Sequence, residues 1–182
     1  MTLLFVTSSA GKLTEVRRIL QVPVDTVDVD LTEPQAVDLD VVVRAKAQEA
    51  YDLVAAPVLV EDTGLFFHAW NGLPGALIKW FVQYVGVDGI CAMLRASPDR
   101  SATAQTLVGY HDGDVKVFSG AVRGRIADSP RGDGGFGFDS IFIPEGSDKT
   151  FAEMRADEKD QYSMRKRALQ ALVEDKQISL VP

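Results

Sequence analysis

Two adjacent carboxylates, Glu61-Asp62, follow the apolar run Val58-Leu59-Val60. In α/β sheets, ligands bind at the carboxyl ends of strands. A side chain there is held by rigid structure and still faces a crevice. Consecutive strand residues point to opposite faces, so the pair reads as two jobs. One carboxylate would hold Mg²⁺, a hard cation that prefers oxygen. The other would orient or deprotonate a water. A turn carrying two exposed acids is the alternative.

Three further groups could do chemistry. Thr7-Ser8-Ser9-Ala10-Gly11-Lys12 places hydroxyls and backbone N–H groups ahead of a helix. Such a terminus favours phosphate, and Lys12 adds a point charge. The spacing is not that of a P-loop, and Ser9 also reads as a plain helix cap. Gly134-Gly135-Phe136-Gly137-Phe138-Asp139 sets two aromatics among glycines, followed by an acid. That suits a pocket in which a base stacks on an aromatic ring, or else a loop packed into the core. Glu158-Lys159 precedes Ser163-Met164-Arg165-Lys166-Arg167. Ser163 reads as a cap, and Arg165 carries a planar fork suited to phosphate or a base carbonyl. His68 and His111 stand in no metal-ligand spacing; the first reads as a strand end and the second as a hairpin edge.

The elements that must position these groups follow from periodicity. Leu3–Thr7 is a strand. Leu13, Val16 and Leu20 mark one face of a helix that Pro23 stops. Val24–Asp30 alternates like a half-wet strand. Val42–Val54 is a second helix with Asp40 as its cap, and Val58–Val60 a buried strand ended abruptly at Glu61. Leu65–Phe67 resumes the apolar pattern. Gly72-Leu73-Pro74-Gly75 is a turn, and Ile78–Val85 and Gly89–Leu94 are helical. Asp112-Gly113 is a hairpin signal between Ser101–His111 and Asp114–Ser119. Ala121–Ala127 and Ile141–Ile143 are strands, and a last helix follows Ser163. Helices and strands alternate and a meander follows, so the fold class is α/β with a mixed sheet, in one domain over 1–182.

Composition narrows the function classes. The hydrophobic fraction of 46% supports a real core, unlike a disordered chain. No stretch approaches the roughly 20 apolar residues of a membrane span, and Met1–Thr7 reads as a strand rather than a signal. The lone Cys91 fits a small core residue in a reducing, cytoplasmic setting. A net charge of −7 argues against a nucleic acid polymer. It leaves room for a single nucleotide held by a few local cations and a metal.

In order and spacing, these segments resemble the inosine triphosphate pyrophosphatase family from end to end. The resemblance is carried by Thr7–Lys12, Pro57–Gly64, Asn71-Gly72-Leu73-Pro74-Gly75, Phe136-Gly137-Phe138-Asp139, Thr150-Phe151-Ala152-Glu153-Met154, Glu158-Lys159 and Ser163-Met164-Arg165. It implies a long, bent mixed sheet with flanking helices in two lobes around a nucleotide-binding cleft. It also implies Mg²⁺-dependent hydrolysis of a purine nucleoside triphosphate (inosine, deoxyinosine or xanthosine) to monophosphate and pyrophosphate. A homodimer is implied as well, with the segment after Gly72 near its interface.

Carried over, Asp62 activates water, and Glu33 and Glu61 hold or position the metal beside it. Lys12, Lys46 and Lys159 bind phosphates or the nucleotide, with Thr7, Ser8 and Ser9 alongside. Phe136, Gly137, Phe138 and Asp139 line the base, while Met164 and Arg165 stand at its edge, Arg165 reading the 6-position oxygen. Ser8-Ser9 replaces the family's glycine-asparagine, Met164 its histidine, Phe138 its tyrosine or tryptophan, and Ser140 a frequent proline. These departures keep two rival expectations open: action on another or modified nucleotide, and a nucleotide-binding or regulatory protein with impaired turnover.

Overall fold

The computed structural model describes residues 2–176 and residue 178. The described residues form a mixed sheet of seven strands: β1 Leu3–Val6, β2 Val24–Val27, β3 Val58–Phe67, β4 Pro74–Gly75, β5 Ser101–His111, β6 Val115–Ile126 and β7 Phe142–Pro144. The order is β2-β1-β3-β5-β6-β7, with β4 paired to β3. β1 runs parallel to both β2 and β3. β3–β4 and β6–β7 are antiparallel. The helices are α1 Ala10–Leu20, α2 Leu39–Val54, α3 Ile78–Tyr84, α4 Gly86–Met93, α5 Ala156–Tyr162 and α6 Met164–Glu174. Short 3-10 helices occupy His68–Trp70 and Phe151–Glu153.

The chain divides into two compact units. The first comprises residues 1–63, 106–120 and 164–182, and the second 64–105 and 121–163. In the first, β1 and α1 open a parallel strand–helix–strand unit. Phe5, Val16, Leu59, Val108, Leu169 and Leu172 close one core beneath α1 and α6. In the second, Phe142 packs between Phe138 and Phe151, and Phe67, Trp70 and Phe81 form a separate aromatic row. No described helix is long and apolar enough to cross a membrane.

The α/β reading stands, but several boundaries move. β3 does not end at Val60; it continues through Glu61-Asp62-Thr63-Gly64 to Phe67. The two acids therefore sit inside a strand and not at its end, because Leu65 and Phe67 are themselves buried and extend the pattern. β6 likewise runs unbroken through Gly120, where the sequence suggests two strands. Strand β2 stops at Val27, short of Asp30. Asp38, not Asp40, caps α2; its carboxylate accepts from the Asp40 amide at 2.9 Å. Helix α5 has no counterpart in the sequence reading, since seven mostly polar residues carry no apolar period. His111 is buried rather than at an edge, and its ring stacks on Tyr51 with centroids 4.0 Å apart. Cys91 is buried in α4.

Gly109 shows how tightly the first unit is closed. A Cβ there would meet Val43 at 2.8 Å, Val60 at 3.0 Å and Ala47 at 3.4 Å. All three are fully buried. Gly109→Ala should therefore cost about 1–3 kcal/mol, the usual range for overpacking a close-packed core, read as a lower urea midpoint at constant m-value. An unchanged midpoint would contradict this packing.

Candidate active site

Strand alternation sends the two acids of β3 in different directions. Glu61 points inward and is 3% exposed, while Asp62 is only partly covered. A buried carboxylate needs compensation, because desolvation of a lone ion costs several kcal/mol. Two helices supply it. Lys12 lies in the first turn of α1, just after its cap Ser9, whose hydroxyl accepts from the Lys12 amide at 3.3 Å. Lys12 Nζ stands 3.0 Å from Glu61 Oε1 and 3.7 Å from Asp62 Oδ1. Arg165 lies in the first turn of α6. Its Nε donates to Glu61 Oε2 in a short contact, and its Nη2 donates to Oε1 at 3.1 Å. That fork is the bidentate geometry in which guanidinium binds carboxylate best.

Arg165 is shared. Its Nη1 makes a short ion pair with Glu15 of α1, and its Nη2 reaches Thr63 Oγ1 at 3.4 Å. Thr63 Oγ1 donates to Glu61 Oε1 at 3.2 Å and meets the hydroxyl of buried Thr106 at 2.8 Å. Helix α6 can bring Arg165 this close because β6 carries Gly120 beneath it. A Cβ at Gly120 would overlap the Met164 carbonyl and the Ala168 amide. Met164 is itself buried.

Electrostatics follow from this geometry. Burial by itself would raise the Glu61 pKa. The Arg165 guanidinium and then the Lys12 ammonium outweigh it and hold the carboxyl well below the usual range. Burial would lower the Arg165 and Lys12 pKa values, yet Glu61 acting with Glu15 on the one and with Asp62 on the other keeps both raised. Asp62 differs from Glu61. Its Oδ1 accepts from the Thr63 amide at 3.0 Å, and its Oδ2 takes no hydrogen-bond or ion-pair partner among the described residues.

Glu33 and Lys46 join the same unit. Lys46 is buried on α2, and its Nζ donates to Glu33 Oε1 at 3.1 Å and to the Glu61 carbonyl at 3.3 Å. The loop holding Glu33 is fastened to α2 by Thr32, whose amide and hydroxyl donate to Glu49 at 2.8 and 3.1 Å. Among the described residues no three or more Asp, Glu, His or Cys side chains form a ready metal cluster. Glu33, Glu61 and Asp62 thus offer oxygen donors of the right kind, each held at present by protein groups. Thr7 accepts from the Ser9 amide at 3.1 Å, and Ser8 is exposed.

The second unit holds a separate charged cluster. Asp139 is 4% exposed, and its Oδ2 accepts from Lys159 Nζ at 2.7 Å and from the Phe136 amide at 2.9 Å. The same ammonium lies 5.2 Å from the Phe136 ring centroid and 5.3 Å from that of Phe151. A capping box between Thr150 and Glu153 fixes the turn that carries Phe151. Phe136 is half-buried and Gly137 exposed. Phe138 turns into the core against Phe142, its ring edge-on at 6.2 Å.

Sequence reasoning missed Glu15, Thr63 and Thr106. Glu15 had a signal: it stands three residues after Lys12, so both lie on one helix face. Thr106 had none, because its role depends on which strand lies beside β3.

Lys159 and Asp139 are both buried, so breaking the pair is costly. Lys159→Met should lower stability by about 3 kcal/mol, the scale for removing one partner of a buried ion pair. Adding Asp139→Asn should recover part of that loss. Urea unfolding measures both, and a Lys159→Met variant as stable as the parent would show that the pair is not compensated in this way.

Comparison with known proteins agrees with this architecture. The Ham1 family profile matches residues 3–175. The chain is 42% identical over 172 residues to the dITP/XTP pyrophosphatase of Thermococcus kodakarensis, covering 93% of this chain and 94% of that protein. It is 45% identical over 172 residues to inosine triphosphate pyrophosphatase 1 of Trypanosoma cruzi, covering 92% and 88%. Among solved structures, the Ham1 protein of Staphylococcus aureus superposes with a TM-score of 0.81 at 26% identity, over 93% of this chain and 95% of that one. The dITP/XTP pyrophosphatase of Mycobacterium abscessus superposes with a TM-score of 0.75 at 30% identity, over 96% and 100%. On the family match and these relatives, the chain belongs to the Ham1 family.

Proposed function

We propose that this protein hydrolyses the triphosphates of deaminated purines (ITP, dITP and XTP) to the nucleoside monophosphate and pyrophosphate. The observation that carries the reading is the pairing of two unlike carboxylates on β3, one buried and one open, around Lys12. The names and coverage of the relatives support it.

The open Oδ2 of Asp62 is the base. It takes a proton from water as the water oxygen bonds to the α-phosphorus. The bond from that phosphorus to the bridging oxygen breaks, and pyrophosphate leaves with the electron pair. Lys12 and the amides opening α1 stabilise charge on the phosphate oxygens, and Lys46 adds a further cation. Mg²⁺, when bound, neutralises the phosphates and acidifies water, with Asp62, Glu61 and Glu33 as its oxygen donors. Arg165 enters this reading as the group that holds Glu61, in place of the base-reading role the resemblance implies.

The base falls to Phe136, Asp139 and Lys159. The ring of Phe136 supplies a stacking surface, and the Lys159 ammonium is a donor suited to a 6-oxo group. Adenine would turn an amino group toward that donor, leaving polar groups unpaired, which is what makes such sites selective. A homodimer in the cytoplasm completes the proposal. Exposed Leu73, Trp80, Tyr84 and Val85 in the second unit support the dimer, and a monomeric mass in sedimentation would remove it.

Pyrophosphate release with Mg²⁺ across inosine, xanthosine, adenosine, guanosine and cytidine triphosphates tests the substrate class. Inosine and xanthosine triphosphates should lead, with equimolar monophosphate. Asp62→Asn should lower kcat by at least about a hundredfold, the low end for a general base, with nucleotide binding retained. Equal rates on all five substrates would refute the selectivity, and an active Asp62→Asn would refute the base.

A further inference from the structure

Both oxygens of Glu61 are engaged by its own protein, Oε1 by three donors and Oε2 by one. A carboxylate offers about four lone-pair positions. Lys12 Nζ, Thr63 Oγ1 and Arg165 Nη2 lie on Oε1, and Arg165 Nε lies on Oε2. A metal ion reaching Glu61 therefore meets a carboxylate already faced by two cations, and on Oε1 it must displace a donor. The three groups are not equally held. The Lys12 side chain keeps 20% of its surface exposed, so phosphate oxygens can draw its ammonium away. Arg165 is buried and has a second anchor in Glu15. It can loosen from Glu61 without losing a carboxylate partner.

We infer that Lys12 and Arg165 are resident counter-ions that keep free divalent metal off Glu61, so that metal enters together with the nucleotide's phosphates and not ahead of them. The inference rests on the assignment of Glu61 as a metal donor. It makes Glu15 a positioning residue. Without its charge, Arg165 is left more firmly on Glu61, and metal uptake falls. Without both Glu15 and Arg165 charges, Glu61 is relieved of its strongest competitor, and metal uptake rises. A purely structural role for Glu15 and Arg165 would not give changes of opposite sign. The matching of charge also suits Mg²⁺-type ions, which take few protein ligands and complete their shell with phosphate and water.

The test is Mn²⁺ binding followed by electron paramagnetic resonance, with and without inosine α,β-methylene triphosphate. The parent protein should bind Mn²⁺ at least about tenfold more tightly with the analogue than without it, beyond what the analogue binds alone. Glu15→Gln, an isosteric change, should weaken Mn²⁺ binding. The double variant Glu15→Gln with Arg165→Met, in which the paired buried charges go together, should bind free Mn²⁺ about tenfold more tightly than the parent. Circular dichroism confirms that each variant is folded. Equal Mn²⁺ affinity of the parent with and without analogue would overturn the inference while leaving the metal assignment in place. No gain in the double variant would do the same. No protein-dependent Mn²⁺ uptake under either condition would overturn the metal assignment, and this inference with it.

Discussion

One buried anion draws together side chains from three elements of the first unit. Glu61 lies in the middle of a strand, shielded from water, and remains ionised because Arg165 and Lys12 face it. That arrangement fixes three elements at once: β3 carries the acid, α1 brings Lys12 and Glu15, and α6 brings Arg165. Buried ion pairs do little for stability compared with apolar packing of the same volume. Because the folded-state pKa is depressed, the stabilisation from Glu61 is complete above the unfolded carboxyl value of about 4.3 and is lost as pH falls through the folded value.

Much of this was legible from residue types. The apolar run before Glu61-Asp62 and the capped start at Ser9 located the strand and the first helix, and Ser163 stands directly before the last helix. The alternation of strand side chains separated the two acids into one buried and one partly exposed position. Other features were not legible for physical reasons. An extended run through Asp62-Thr63-Gly64 has poor strand character by itself, and only its neighbours in the sheet hold it extended. Arg165 offered a cation beside a helix start, but nothing local said that its guanidinium would turn to Glu61, 104 positions earlier in the chain. Gly120 looked like a strand break because the helix that needs its missing Cβ follows more than forty residues later.

The second unit solves a related problem in a different way. Asp139 and Lys159 compensate each other in the interior, and the ammonium is also held between two aromatic faces. Cation–π contacts of this kind are worth more where water is excluded. Phe136 and Phe138, two residues apart, divide their tasks: one ring stays half-exposed beside the ammonium, the other fills the core. The composition of the glycine-rich loop suggested a base pocket or a core-packed loop, and packing puts the Phe138 ring in the core.

The central claim is that Glu61 is a buried anion held by internal cations, and carbon-13 NMR of glutamate side-chain carboxyls tests it most directly. Glu61 is assigned by the signal lost in Glu61→Gln. The account predicts a chemical shift that stays flat as pH falls from 6 through the ordinary carboxyl range of about 4.3, while exposed glutamates titrate. A Glu61 midpoint inside that ordinary range would contradict it, because the guanidinium and ammonium would then not be holding the charge.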